Sequence, residues 1–139
     1  MLHIQQNTPL NIVLADDDAD ERYCFEKELK ILPFSINLKT VPDGARLMDY
    51  LSKNSEHLPD VLFLDINMPR KNGLECLTEI KCNEKLKRIP VIIYSTSLGD
   101  ENVNTYYQYG ANNFLEKGNY SELTKCFEQI LTSLAEKPI

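Results

Sequence analysis

The chain has 139 residues, 42% of them hydrophobic and 26% charged, with a net charge of -6 at pH 7. That length supports one domain with a real core and leaves no room for a second, while the negative balance speaks against nucleic acid or an anionic membrane as the main partner. No apolar run approaches the roughly 20 residues of a membrane span, and residues 1–9 form a polar leader without a signal-peptide core, so a cytoplasmic location is expected.

The first strand candidate, Ile12-Val13-Leu14-Ala15, runs into Asp16 and Asp17. Asp18 with Glu21 three residues on has the form of an N-cap and capping box. Phe25, Leu29 and Leu32 then make a helical stripe that Pro33 ends. Ile36 to Val41 alternates apolar and polar residues, the pattern of an edge strand. Asp43 opens a second helix with Leu47, Tyr50 and Leu51 inward, followed by a polar loop from Lys53 to Pro59. The run from Asp60 to Asp65 is nearly continuous apolar between its two acids and reads as a central strand.

Asn72 and Glu75 form another box-like start, ahead of Leu74, Leu77 and Ile80. Cys82 to Ile89 is a longer polar connection, and Pro90 leads into Val91-Ile92-Ile93-Tyr94, which ends at Ser95. Asp100 caps a helix carrying Val103, Tyr106 and Tyr107, closed by Gly110. Asn113 to Lys117 is a fifth strand. Asn119 or Ser121 caps a last helix with Leu123, Phe127, Ile130 and Leu134 on one side. Five strands alternating with five helices are the signature of stacked βαβ units, an α/β fold.

In such a sheet, ligands bind beyond the carboxyl ends of the strands. Those ends carry Asp16 and Asp17, Asp65, Ser95 and Lys117. The set suits phosphoryl transfer to a carboxylate, in which the protein mainly positions groups and neutralises charge. Magnesium takes hard oxygen ligands and keeps several waters. Asp17 and Asp65 with a backbone carbonyl just after Asp65 would suffice, and Asp16 would bind through water. Lys117 would hold a phosphoryl oxygen, and Ser95 would donate to another. Asp65 is the best acceptor candidate because its strand is expected to be the most buried and to lie between the other donors. The four cysteines show no metal-like spacing with His3 or His57; Cys24, Cys76 and Cys126 are expected to be buried, reduced thiols.

These motifs give the chain a resemblance. Val13-Leu14-Ala15-Asp16-Asp17-Asp18, the block Leu64-Asp65-Ile66-Asn67-Met68-Pro69 with Gly73, then Ser95 and Lys117 occur in that order. Over residues 10–136 the sequence resembles a response-regulator receiver domain of two-component signalling, of the stand-alone single-domain type. The resemblance implies a doubly wound, flavodoxin-like parallel sheet of order 2-1-3-4-5. It also implies Mg2+, or Mn2+ in its place, held by Asp16, Asp17, Asp65 and the Asn67 main-chain carbonyl. A histidine kinase or histidine phosphotransfer protein would phosphorylate Asp65. Ser95 and Phe114 would then act as the switch, reshaping the face made by the fourth helix, fifth strand and fifth helix for an unnamed protein target. The chain would be a phosphoacceptor with slow self-dephosphorylation rather than a turnover enzyme, working as a monomer or as a dimer through that face. Residues 137–139 would be a tail.

Two departures stand out. Gly118 follows Lys117 where the family usually has a proline in a cis bond, so a trans bond and a looser loop are expected. Serine occupies position 95, where threonine is commoner. Two other readings compete. A small phosphatase would use Asp16 or Asp65 as nucleophile, and a receiver-like module would bind partners without phosphorylation.

Overall fold

A computed structural model describes residues 8–96 and 100–136. Most of the polar leader and the 137–139 tail lie outside the described residues. The elements run β1 (Leu10–Ala15), α1 (Ala19–Lys30), β2 (Ile36–Val41), α2 (Gly44–Lys53), β3 (Val61–Leu64), α3 (Gly73–Cys82), β4 (Val91–Ser95), α4 (Asp100–Gln108), β5 (Asn113–Glu116) and α5 (Ser121–Glu136). All strands are parallel, in the order β2-β1-β3-β4-β5. The doubly wound architecture is therefore the one expected, with β3 at its centre.

Side-chain alternation along each strand divides the core into two layers. Ile12 and Leu14, Val61 and Phe63, and Ile92 and Tyr94 face α1 and α5, where they meet Phe25, Leu29, Leu123 and Phe127. Val13 and Ala15, Leu62 and Leu64, and Val91 and Ile93 face the opposite layer, against Leu47, Leu51, Leu77 and Ile80. The central strands β3 and β4 are buried at every position, whereas β2 alternates half-buried and exposed as an edge strand should.

Local chemistry sets the element ends. Asp18, Asp43 and Asn72 cap α1, α2 and α3 by accepting backbone N–H groups, each such cap contributing about 1 kcal/mol. At α3 both halves of the box form: Glu75 N–H donates to the Asn72 side chain, and Asn72 N–H to the Glu75 carboxylate. After α4, Gly110 takes a φ of 106° while its N–H and that of Ala111 return to the Tyr107 and Tyr106 carbonyls, which closes the helix as expected. Asp100 is the first residue of α4 rather than its cap. Asn119 and Ser121 bond one another ahead of α5, Oγ to Oδ1 at 2.9 Å.

A second expectation fails as well. Cys24 is exposed, while Cys76 and Cys126 are buried. Successive helical residues are about 100° apart, so the stripe that turns Phe25 and Leu29 into the sheet turns Cys24 out. Burial pushes the Cys76 and Cys126 thiols up to about 11, and both are protonated at neutral pH.

Candidate active site at the carboxyl ends of the strands

Parallel strands of similar length end on one rim, and the residue following each strand is delivered there. Asp16 follows β1, Asp65 follows β3 and Lys117 follows β5; backbone bonds from Asp65 N–H to the Ala15 carbonyl and from Lys117 N–H to the Ser95 carbonyl continue the ladders just past the strands. Asp16 and Asp65 are buried, 0% and 4% exposed. Asp17 is exposed at the mouth. Each of the three carboxylates offers an oxygen within 4.8 Å of the others.

The two buried acids are held alike. Asp16 accepts from Asp18 N–H on Oδ1 at 3.0 Å and meets the Lys117 ammonium on Oδ2 at 2.8 Å. Asp65 accepts from Asn67 N–H on Oδ1 at 3.4 Å and faces the same ammonium on Oδ2 at 3.4 Å. In each case the inner turn fixes one oxygen and leaves the other to the cation. Arg22 on α1 donates to the Asp16 carbonyl at 2.8 Å and ties the helix to the end of β1.

Three carboxylates against one ammonium leave two negative charges in a half-closed site. Burial, and then the Asp16 charge, push Asp65 up to about 6, against the pull of Lys117 and the Asn67 N–H. Burial works against the Lys117 charge as well, but Asp16 and Asp65 outweigh it and hold the ammonium above its ordinary range. An all-oxygen donor set with a net charge of minus two fits a divalent hard cation such as magnesium.

Ser95 ends β4, buried at 1% exposure, while the adjacent hydroxyl residue Thr96 is exposed. Alternation places Ser95 on the same sheet face as Ile93. Phe114 pairs with Ile93 across β4 and β5 and is half-buried against that same layer together with Tyr106. Burial, and then the Asp65 charge, raise the Tyr106 phenol; Tyr107 is 43% exposed. The structure thus brings together the carboxylates and Lys117, and lays the Ser95 and Phe114 pair on the adjoining face.

Among the described residues there is no cis peptide bond, so Lys117–Gly118 is trans as expected. Gly118 takes a φ of 88° with nothing within 4 Å of where a Cβ would stand, and the Lys117 side chain reaches both carboxylates nonetheless. Three participants escaped sequence reasoning: Arg22, Tyr106 and Tyr94, whose ring lies under the Lys117 ammonium at 5.7 Å. An aromatic in an apolar run reads only as core, and no spacing rule marks it otherwise. Among the described residues no helix is long and apolar enough to cross a membrane.

Comparison with known proteins agrees with this geometry. The response regulator receiver domain model matches residues 12–128. Response regulator Rcp1 of a Synechocystis strain is 33% identical over 131 residues, covering 91% of this chain and 89% of its own. The crystal structure of the phosphorylated cyanobacterial phytochrome response regulator RcpA superposes with a TM-score of 0.76 at 29% identity, covering 95% of this chain and 98% of its own. The Mn2+-bound form of Rcp1 gives 0.74 at 32% identity, with 94% and 98% covered. With its strand order, its acid-rimmed site and these relatives, the chain belongs to the response-regulator receiver domain family of two-component signalling.

Proposed function

We propose that residues 10–136 form a phosphoacceptor whose Asp65 takes a phosphoryl group from the phosphohistidine of a histidine kinase or a phosphotransfer protein. An Asp65 oxygen forms the new bond to phosphorus as the phosphorus–nitrogen bond breaks, and the imidazole leaves with the bonding pair. The observation that carries this reading is the Lys117 ammonium, shared between Asp16 at 2.8 Å and Asp65 at 3.4 Å. It stands ready to neutralise charge on a phosphoryl oxygen bound to Asp65.

Asp16, Asp17, Asp65 and the Asn67 carbonyl would hold Mg2+ or Mn2+, and the ion would supply charge neutralisation on the transferring group. Relatives crystallised in phosphorylated and Mn2+-bound forms support the assignment. Ser95 donates its hydroxyl to the phosphoryl group, and Phe114 follows it inward, reshaping the face of α4, β5 and α5 for a protein target. Phosphorylation biases that face only as far as its contacts differ between the two arrangements.

The test is intact mass after incubation with acetyl phosphate, with and without Mg2+, for the wild type and Asp65→Asn. One metal-dependent phosphoryl adduct in the wild type and none in the variant is the expected result. An adduct that survives in the variant would move the acceptor elsewhere, and steady turnover of a phosphate ester without adduct would favour a phosphatase.

A further inference from the structure

Lys117 has to keep its position while its neighbours change. Its partners Asp16 and Asp65 are also the oxygens a divalent cation needs, and ligation by a cation weakens their hold on the ammonium. The backbone gives little restraint from the following residue, since Gly118 sits at φ 88° in open space. A lysine has a flexible four-carbon stem with much rotamer freedom. Something other than the acids must hold it.

We propose that Tyr94 is the positioning residue for the Lys117 ammonium, its ring serving as a fixed platform that a metal ion does not compete for. The ammonium lies over the ring at 5.7 Å from its centroid, inside the range of about 6 Å at which a ring quadrupole attracts a cation. The platform is rigid. Tyr94 is 1% exposed, and its ring packs edge-on against Phe25 at 5.2 Å and Phe63 at 6.3 Å. Those rings belong to the layer beneath α1 and α5, so the ammonium rests on the packed core.

The phenol oxygen has a different standing from the ring. It is buried, no hydrogen bond of ordinary geometry reaches it among the described residues, and its polar neighbour is the Tyr120 phenol rather than Lys117. Burial, and then the neighbouring Tyr120 at the start of α5, hold it far above its ordinary range, so it stays neutral. Positioning is therefore a property of the ring, and phenylalanine should replace tyrosine without loss.

The inference rests on the phosphoacceptor reading for its effect on rate but not for its geometry. The experiment uses the full chain labelled with 13Cε-lysine, the Lys117 signal being assigned with Lys117→Arg. In the wild type the Lys117 ε-protons are expected upfield, with and without Mg2+, from the ring current of Tyr94. Y94F keeps the shift and the rate of adduct formation from acetyl phosphate. Y94M and Y94L lose the shift and slow adduct formation about five- to tenfold, with Mg2+ affinity unchanged by titration. An unshifted Lys117 signal in the wild type overturns the proposal without any variant being needed. So does a Y94M protein that reacts at the wild-type rate, or a Y94F protein that slows as much as Y94M. If the wild type forms no adduct, the phosphoacceptor reading falls, while the ring-current shift still decides the placement.

Discussion

The two loops that flank the acid site are built on opposite plans. The β3–α3 loop is filled from within. Ile66 and Met68 are buried, Lys71 pairs with Glu79, and the Gly73 N–H returns to the Ile66 carbonyl at 3.1 Å. A Cβ on Gly73 would stand 2.6 Å from the Asp65 carbonyl oxygen and 2.6 Å from the Ile66 Cα. Arg70 adopts φ 68°, and the Lys71 N–H bonds back to the Pro69 carbonyl at 2.7 Å, a tight three-residue turn of a rare, strained kind. The β5–α5 loop is open around Gly118, and what it delivers is held at the tip of a side chain. The Asp65 carboxylate is thus fixed by backbone packing and the Lys117 cation by side-chain contacts, so equal changes to the two loops should have unequal effects.

Gly73→Ala should be the most damaging, because the obstructing atoms are the backbone of Asp65 and Ile66. We expect a loss of about 3 kcal/mol in urea unfolding, together with loss of metal binding as Asp65 is displaced. A loss under 1 kcal/mol would show that this loop yields as easily as the other.

The Asp65 side should also reveal itself through pH. Asp65 has a folded pKa of about 6 against an ordinary value of 3.8, so the native state binds this proton more tightly than the unfolded chain. Lowering pH from 7 through 6 toward 4 therefore stabilises the metal-free protein through this group, by roughly 1–2 kcal/mol once coupling to Asp16 and Lys117 is allowed for. Lys117 titrates far above this window. The check is urea unfolding of wild type against Asp65→Asn, with metal chelated. The wild type should gain on the variant as pH falls, and saturating Mg2+ should reverse that trend by favouring the ionised acid. Parallel profiles would refute the shift.

Gly118→Ala should be the mildest. Nothing obstructs the added methyl, so only the left-handed backbone opposes it, at about 1 kcal/mol. Adduct formation should stay within a few-fold of wild type if side-chain contacts hold Lys117, and a large loss would mean that the loop backbone carries it after all.

Much of this was legible in the sequence for a physical reason. Continuous apolar runs flanked by caps can be satisfied only by buried strands between helices, so Val61–Leu64, Val91–Ser95 and the Asn72–Glu75 box were readable directly. The acids at strand ends followed from the fold, because a parallel sheet delivers them to one rim. Boundaries were less legible. β1 begins at Leu10, two residues before the run that marks it, because the Leu10 N–H finds the Ser35 carbonyl at 2.9 Å. The orientation of Cys24 turned on a single residue of helical phase. The place of Tyr94 beneath Lys117 depends on a meeting of β4 with the end of β5 that no local pattern encodes.

The alternation of β2 has a consequence for how molecules behave toward one another in concentrated solution. An edge strand presents an unpaired row of backbone donors and acceptors, a template on which a second chain can add a strand. Asn37 and Lys39 are exposed along that edge, and the Lys39 ammonium is stationed 5.5 Å from the Tyr50 ring. A strand sliding in from a neighbouring molecule would have to strip water from that charge. The same alternation that marks β2 as peripheral thus protects the sheet from growing sideways into aggregates.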